Sequence, residues 1–250
     1  MNEKRRWLRD ILTPISRLHY FIWRLSKSKQ TIVVNLQIGG RIEIRPQPTT
    51  DIMTAYEIFV AEAYEKPLQV PNIYPKFIVD IGANVGHSLI YWANLYPESK
   101  LIAFEPHPDH LLMIYKNLHQ NSLLNRVLVV GSAVSNRNAK SFLTDNENES
   151  AVVDDYKPGT FSIKVRDLFE EIGNETVDLL KIDIEGGEYP IFADQRFEKL
   201  DVRMIVMEWH NTDEVPNGLD WSKQRLVSLG YQVTEGKLNY PTAGILWAWK

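Results

Sequence analysis

The residues best suited to acid–base chemistry lie in two short stretches of the sequence. Lys181, Asp183 and Glu185 alternate along the end of one apolar run, and Glu208 and His210 end another. A hydroxyl is a poor nucleophile while it is protonated, and a carboxylate or imidazole within hydrogen-bond reach can take its proton. His210 is the first base candidate because the ordinary pKa of histidine is about 6.5. Asp183 is the second, and Glu185 or Glu208 would orient either one.

The lysine inside the first of these stretches needs a partner for its charge. The apolar residues around Lys181 predict a strand buried within a sheet, and a buried ammonium group requires a nearby opposite charge. Asp80, on a neighbouring predicted strand, or Asp183 can supply it. We therefore expect Lys181 to organise the acid cluster rather than to contact a substrate directly.

The same cluster offers ligands for a divalent metal. Asp183, Glu208 and His210 carry oxygen and nitrogen donors that can bind magnesium, which would acidify a hydroxyl. No spacing motif supports such a site. Magnesium is therefore the less favoured arrangement, and no residue is assigned as a metal ligand.

A glycine-containing loop, Asp80–Gly86, follows an apolar run and leads into an amphipathic pattern. This order predicts a strand, a cofactor-binding loop and a helix. Gly82 can take a positive φ, and Gly86 lets the helix pack close to the strand. A dinucleotide loop would have glycine in place of Asn84, and the Asp80 carboxylate would repel a diphosphate. A cationic sulfonium tolerates that acid, so the loop favours S-adenosylmethionine.

A second acid supports a cofactor that contains adenosine. The next predicted strand ends at Phe104, and Glu105 follows it. A carboxylate at this position accepts hydrogen bonds from the ribose hydroxyls in folds that bind NAD and in folds that bind S-adenosylmethionine. Glu105 therefore supports the adenosine but does not distinguish the two cofactors.

Three motifs together resemble the FkbM-type S-adenosylmethionine-dependent methyltransferases. They are Asp80–Gly86, Phe104–Pro106 and Lys181–Glu188, and the resemblance covers roughly Asp51 to the C-terminus. The resemblance implies a class I methyltransferase fold and methylation of an oxygen atom, often a hydroxyl of a sugar or natural product. Its members act on small molecules or glycan intermediates, so we expect such an acceptor here.

The resemblance also indicates where adenine would bind. Many methyltransferases of this kind carry an acid at the end of the third strand, where this chain has Ser132. Adenine contact would then fall to the Ser132 hydroxyl or to backbone groups near Ala133.

From Phe77 onward, strand and helix patterns alternate, which predicts a mostly parallel sheet covered on both faces. The fold class is α/β, a Rossmann-like class I methyltransferase sheet with an antiparallel C-terminal strand, preceded by an N-terminal helix and a β-hairpin. The predicted strands are Phe77–Ile81, Leu101–Phe104, Val127–Val130, Leu179–Ile184, Met204–Met207, Tyr231–Thr234 and Ile245–Trp249. The predicted helices begin near Gly86, Pro108, Val165 and Glu188. A polar surface loop is predicted at Thr144–Ser150.

The first thirty residues form a separate pattern. They contain eight basic and two acidic residues, a net charge of +6, which leaves −10 for the rest of a chain whose net charge is −4. Apolar spacings predict an amphipathic helix that is broken or kinked near Pro14. Such a helix can lie on an anionic membrane surface, or it can pack on the domain or on a partner subunit. A two-residue glycine turn at Gly39-Gly40 predicts the hairpin that follows.

Composition limits the remaining possibilities. The chain has 250 residues, 44% of them hydrophobic, and no cysteine, which excludes disulfides and cysteine catalysis. We expect an extension at 1–30, a hairpin and helix subdomain at 31–76, and a cofactor-binding methyltransferase domain at 77–250. The acidic balance disfavours nucleic acid as a partner. We expect a cytoplasmic protein, with peripheral contact at the inner membrane surface left open; the sequence does not predict the oligomeric state.

The function predicted from these observations is S-adenosylmethionine-dependent O-methylation of a sugar or glycan hydroxyl, with a small natural product as the second acceptor class. One alternative is an NAD-linked oxidoreductase, which Asn84 at the middle glycine position disfavours. The other is a non-catalytic module that binds S-adenosylmethionine, which the presence of Asp183 and Glu185 disfavours.

Overall fold

The computed structural model describes residues 8–144, 152, 153, 156 and 158–250. Its strands are β1 Ile32–Asn35, β2 Arg41–Ile44, β3 Phe77–Ile81, β4 Lys100–Phe104, β5 Val127–Val130, β6 Ala133–Ser135, β7 Ala139–Thr144, β8 Val152–Val153, β9 Thr160–Asp167, β10 Val177–Ile182, β11 Val202–His210, β12 Gln232–Asn239 and β13 Ala243–Trp249. Its helices are α1 Pro14–Leu25, α2 Asp51–Phe59, α3 His87–Leu95, α4 Pro108–Gln120, α5 Leu168–Ile172, α6 Glu188–Ala193 and α7 Gly218–Ser228, with a 3₁₀ helix at Gln195–Lys199. The loop predicted at 144–150 falls, from residue 145 on, outside the described residues, as do the first seven residues of the basic segment.

The central sheet has seven strands in the order β12-β13-β11-β10-β3-β4-β5. Neighbours from β11 to β5 are parallel, and β13 pairs antiparallel with both β11 and β12. The predicted α/β class and the antiparallel C-terminal strand are therefore confirmed. The carboxyl ends of β3, β4, β10 and β11 lie at one edge of the sheet, where open α/β folds bind ligands.

The sheet separates two apolar cores. Along β10, Leu179 packs into one core, and its neighbour Leu180 packs into the other. This alternation follows from the two-residue period of a strand, and it explains why every residue of β10 is buried. The central strands are therefore held from both faces, so the residues at their ends have well-defined positions.

The N-terminal elements contribute to the first of these cores. Leu12, Ile42 and Ala55 share it with β3 and β10 residues. The hairpin docks on α4, where the side chains of Asn117 and of Asn121, the residue after the helix, accept hydrogen bonds from the Glu43 and Arg41 backbone amides at 2.7 and 2.8 Å. The predicted hairpin is thus present and packed against the sheet's own helices.

Two local predictions near the N-terminus have different outcomes. The predicted helix break lies at Leu12 and Thr13, because Pro14 begins α1 and the Thr13 side chain caps it. The predicted two-residue glycine turn is wrong. Residues 36–40 connect the strands, and the Leu36 amide donates to the Gly40 carbonyl at 3.0 Å.

A second sheet, in the order β6-β9-β7-β8, was not predicted. The helix predicted to begin near Val165 is present but begins three residues later, at Leu168, because Val165 lies in β9. Ile163 and Val165 are buried while Lys164 and Arg166 are exposed, a period of two rather than 3.6. Asp167 then caps α5 by accepting a hydrogen bond from the Phe169 amide at 2.9 Å.

Candidate active site

The loop after β3 has three residues in the left-handed region of backbone conformation. Gly82, Asn84 and Gly86 have φ values of +82°, +49° and +86°. A Cβ atom on Gly82 would overlap the Asp183 carbonyl oxygen, so only glycine fits this position. Asparagine is one of the few other residues that tolerate a positive φ, which explains why Asn84 can stand where a dinucleotide loop has glycine.

Glu105 holds this loop from the end of β4. Its carboxylate accepts hydrogen bonds from the backbone amides of Asn84 and His107, both at 2.9 Å. His110 Nδ1 lies 3.3 Å from the same carboxylate. A carboxylate has about four lone-pair sites, so Glu105 keeps acceptor capacity for a ligand hydroxyl.

A cleft of about 400 Å³ opens beside the loop. The predicted cofactor residues that line it are Gly82, Asn84, Glu105, Ser132 and Ala133. The Ser132 hydroxyl is buried and has no hydrogen-bond partner among the described residues, so it can bond to a ligand without losing an existing contact.

The other two predicted cofactor residues do not line the cleft. Asp80 is completely buried behind the loop. Gly86 lies at the start of α3, where it packs closely against Ile114. Asp80 and Gly86 therefore support the loop from behind.

Lys181 connects the ends of β3 and β10. Its Nζ lies 3.2 Å from Asp80 Oδ1 and 3.6 Å from Asp183 Oδ2, and it donates a hydrogen bond to the Gly82 carbonyl at 2.5 Å. Burial by itself lowers the pKa of Lys181, but the two carboxylates outweigh it and the net shift is upward. Burial raises the pKa of Asp80, and Lys181 offsets part of that shift. Lys181 therefore stays charged, in contact with the acids as expected.

The predicted strand Leu179–Ile184 is too long at its carboxyl end. β10 stops at Ile182, and the Asp183 amide still donates to the Ile81 carbonyl at 3.1 Å. Glu185 has a φ of +54°, so the chain turns away from the strand there. Lys181 and Asp183 keep the predicted contact, whereas Glu185 is carried toward His210.

His210, the last residue of β11, lies between carboxylates. Its Nδ1 is 3.2 Å from Glu188 Oε1, and its Nε2 is 3.4 Å from Glu185 Oε2 and 3.9 Å from Glu208 Oε1. The Glu188 side chain is completely buried. The Tyr189 hydroxyl accepts a hydrogen bond from the His210 amide at 3.2 Å and donates one to its carbonyl. The ring is thus positioned by α6, and Glu188 is the acid at Nδ1, where Glu185 or Glu208 was expected.

These carboxylates change the acid–base properties of the cluster. Burial by itself lowers the pKa of His210, but the Glu188 hydrogen bond and the charges of Asp183 and Glu185 raise it to about 9. Burial, together with the charge of Asp183, raises the pKa of Glu208 to about 8. The pKa of His210 thus lies well above the ordinary histidine value of about 6.5 that made it the first base candidate, and the protonated ring is favoured at neutral pH.

The cluster also has the composition of a cation site. Asp183, Glu185 and His210 each offer one ligand atom, and these atoms lie within 4.8 Å of one another. The sequence suggests Asp183, Glu208 and His210 as possible magnesium ligands, whereas the structure brings Glu185 rather than Glu208 together with Asp183 and His210. Oxygen and nitrogen donors of this kind suit a divalent cation, and the same groups suit proton transfer.

Comparison with known proteins assigns the family. A model described as the Methyltransferase FkbM domain matches residues 80–233, which is more than half of the chain. The chain belongs to the FkbM methyltransferase family. The glycine loop, Glu105 and the cluster around His210 all lie within the matched range. An NAD-linked oxidoreductase is therefore no longer a candidate.

Relatives of this FkbM methyltransferase include two curated proteins. Methyltransferase sdnD from Sordaria araneosa is 26% identical over 224 residues, covering 74% of this chain and 83% of the relative. The 2-O-methyltransferase NoeI from Sinorhizobium fredii is 25% identical over 209 residues, covering 74% and 81%.

A solved structure of an FkbM methyltransferase from Methylobacillus flagellatus has a TM-score of 0.56 to this chain at 17% identity. The alignment covers 80% of this chain and 55% of that one, so this chain spans about half the length of the solved protein. The fold is the class I methyltransferase fold.

The FkbM chain brings residues to the cluster that sequence reasoning missed. Burial, together with the charge of Asp183, raises the pKa of Glu57 in α2. The Lys181 ammonium lies 6.0 Å from the centre of the Tyr64 ring. No motif connects these residues with the strand ends, because a lone glutamate or tyrosine in an amphipathic segment resembles any helix residue. Glu188 is the last residue of the Lys181–Glu188 motif, but nothing in the sequence indicates that it pairs with His210.

Proposed function

We propose that this FkbM methyltransferase transfers a methyl group from S-adenosylmethionine to a hydroxyl of a sugar or glycan intermediate. The observation that carries this proposal is the pairing of His210 with the buried Glu188, beside Asp183 on the rim of the cleft. A histidine held at one ring nitrogen by a carboxylate is suited to take a proton at the other. The name of NoeI, a 2-O-methyltransferase, supports an oxygen acceptor.

The cleft residues fit the proposed cofactor. The Ser132 hydroxyl has no hydrogen-bond partner among the described residues, so it can bond to the cofactor. The Glu105 carboxylate can accept hydrogen bonds from ribose hydroxyls. The bare backbone around Gly82 allows the close approach that a side chain would prevent. When bound, S-adenosylmethionine supplies an electrophilic methyl group on a sulfonium.

The chain's own residues then handle the proton. Glu188 fixes Nδ1 of His210, which leaves Nε2 directed toward Glu185 and Glu208. The Glu185 side chain is about half exposed, so an acceptor hydroxyl can replace it beside Nε2. Once His210 has lost its resting proton, Nε2 accepts the hydroxyl proton as the new bond to oxygen forms. Asp183 is the second base candidate, at the same rim.

The charge of the cluster favours one kind of acceptor. Asp183 and Glu185 line the cleft. Burial, together with the charges of Asp183, Glu185 and Glu57, raises the pKa of Glu208, so negative charges are concentrated in this part of the site. An anionic acceptor would meet this repulsion at close range. A neutral polyol, such as a sugar without phosphate or carboxylate groups, avoids it and offers hydroxyls to hydrogen-bond the acids. A small natural product with a free hydroxyl is the second class.

The proposal is tested with the purified full-length chain. Calorimetry measures binding of S-adenosylmethionine and of NAD, and transfer of a labelled methyl group is then assayed on neutral sugars and on matched sugar phosphates. We expect S-adenosylmethionine to bind, NAD not to bind, and neutral acceptors to be methylated. Asp183→Asn should reduce turnover more than it reduces cofactor affinity.

Two results would contradict the proposal. A folded chain that fails to bind S-adenosylmethionine overturns the cofactor assignment. Binding without transfer to any hydroxyl in the neutral panel, combined with transfer to a nitrogen or carbon acceptor, overturns the O-methyltransferase assignment while leaving the cleft intact.

A further inference from the structure

The helix α1 has an exposed apolar face. Ile15, Leu18, Ile22 and Leu25 are 69, 60, 57 and 72% exposed. Their spacing of three, four and three residues places them on one side of the helix. An exposed row of large aliphatic side chains on one helix marks an interaction surface rather than the scattered apolar residues that are common on proteins.

The opposite face fixes the helix in place. Ser16 and Tyr20 are buried, and the Ser16 hydroxyl accepts hydrogen bonds from the Asn35 amide and side chain at 2.8 and 3.1 Å. Near the C-terminal end of α1, the Trp23 indole donates to the Gln30 carbonyl at 2.8 Å. The hairpin therefore already satisfies the buried face, and the apolar row points away from the described chain.

Basic residues accompany this apolar face. Arg17, Arg24, Lys27 and Lys29 form no ion pair with the described part of the chain, and all but the half-buried Arg17 are exposed. The first thirty residues sum to +6 and the remainder to −10. The positive charge is thus concentrated on the same segment as the exposed apolar face.

We propose that α1 binds an anionic lipid bilayer, lying in the plane of the headgroups with its apolar face inserted. Aliphatic side chains beside unpaired arginines and lysines match this environment, in which acyl chains lie beneath negative phosphates. Twelve residues make a helix of about 18 Å, too short to span a bilayer. Within the described residues, no helix has the length and apolarity of a transmembrane span.

Charge also favours a bilayer over the main alternative occupant of this face, which is a second copy of the chain. If the apolar faces of two copies packed together, two segments that each carry a net charge of +6 would be brought close to each other. An anionic bilayer attracts the same segment, and it repels the acidic remainder of the chain, so it also favours a single orientation. This inference does not depend on the proposed enzymatic reaction.

The test is co-sedimentation of the full-length chain with vesicles. One set of vesicles is phosphatidylcholine alone, and the other is an equimolar mixture of phosphatidylcholine and phosphatidylglycerol. We expect binding to the mixed vesicles, weak binding to phosphatidylcholine, and loss of binding as salt is raised. No binding to the mixed vesicles at low salt would overturn the proposal.

Variants then separate the apolar and charge contributions. Leu18→Ser with Ile22→Ser removes half of the apolar row, and Arg24→Glu with Lys27→Glu reverses two charges. Each pair should weaken vesicle binding by at least about tenfold. The matched control, Leu112→Ser with Val227→Ser, alters equally exposed aliphatic residues on α4 and α7 and should leave binding unchanged.

Binding of S-adenosylmethionine and the thermal unfolding midpoint should be unchanged in all three variants, which shows that each still folds. If either α1 pair binds vesicles like the parent chain, the proposal is wrong. Sedimentation velocity identifies the competing occupant. One result would assign the face to a second copy of the chain. The parent chain would form a concentration-dependent dimer without binding vesicles, and the Leu18→Ser with Ile22→Ser variant would be monomeric.

Discussion

The cofactor loop and the cluster around His210 lie at the same edge of the sheet but are built in different ways. In the loop, backbone conformation decides which residue fits, and Gly82 cannot carry a Cβ atom. In the cluster, the charges of neighbouring side chains decide what His210 does. Substitution in the loop should therefore act on folding and on cofactor binding together. Substitution in the cluster should act on proton transfer and its pH dependence, with little effect on cofactor binding.

The largest effect should follow Gly82→Ala. The new methyl group would overlap the Asp183 carbonyl and force strain at a φ of +82°. We expect cofactor binding to be lost in calorimetry and the free energy of unfolding to fall by about 2–5 kcal/mol in urea denaturation. Gly230→Ala is the matched control, because its φ is +86° with no atom near the added carbon. That control should lose only about 1–2 kcal/mol and keep cofactor affinity. Equal losses in both variants would show that strain, not overlap, governs the loop.

His210→Ala should have the next largest effect, on turnover and not on binding. Removal of a general base reduces kcat by about 10²–10⁴-fold. The cofactor cleft does not include His210, so affinity for S-adenosylmethionine should change little. His119→Ala, at an exposed position on α4, serves as the control. Normal turnover of His210→Ala would transfer the base role to Asp183.

Glu188→Gln should shift the pH dependence of turnover. His210 with a pKa of about 9 cannot accept a proton until its own proton leaves, so wild-type kcat should rise with pH toward about 9. The amide keeps the shape of Glu188 but removes its charge, which lowers the His210 pKa and moves the rising limb down by about one pH unit. Asp220→Asn, an exposed acid in α7, should leave the profile unchanged. A profile that falls with rising pH would mean that His210 acts in its protonated form.

Folding stability should decrease as the cluster loses protons. The pKa of His210 is raised above its ordinary value of about 6.5. Its stabilising contribution is therefore complete below that pH and is lost as pH rises through about 9. Glu208, with a pKa of about 8, also binds its proton more tightly in the folded state, so the same sign applies. We expect the melting temperature to fall by a few degrees between neutral pH and about 9. His210→Ala should flatten this dependence, and an unchanged slope would place its origin outside the cluster.

The smallest effect should come from metal removal. If the cluster transfers protons without a cation, EDTA leaves turnover unchanged and added magnesium does not raise it. Calorimetry with magnesium alone provides the direct measurement. Loss of turnover in EDTA, restored by magnesium and abolished in Glu185→Gln, would instead assign Asp183, Glu185 and His210 as ligands.

Much of the fold could be predicted because its signals are local. The run Phe77–Ile81 and the glycines that follow it form a strand and loop within a dozen residues, and the structure has β3 at that position. The second sheet was missed because the residues around Val165 were interpreted as the start of a helix, although their alternation is local too. The end of β10 was placed two residues late because a chain turn at Glu185 has no apolar signature.

The sequence by itself determined the α/β order, the glycine loop and the set of acids and histidine at the strand ends. Each depends on neighbours along the chain, through strand period, backbone sterics and residue type. Only the tertiary structure decided that Glu188, and not Glu185 or Glu208, holds Nδ1 of His210. It also decided that the pKa of His210 lies near 9. Burial and electrostatic interaction depend on distances between β10, β11 and α6, and those distances exist only after the sheet has assembled.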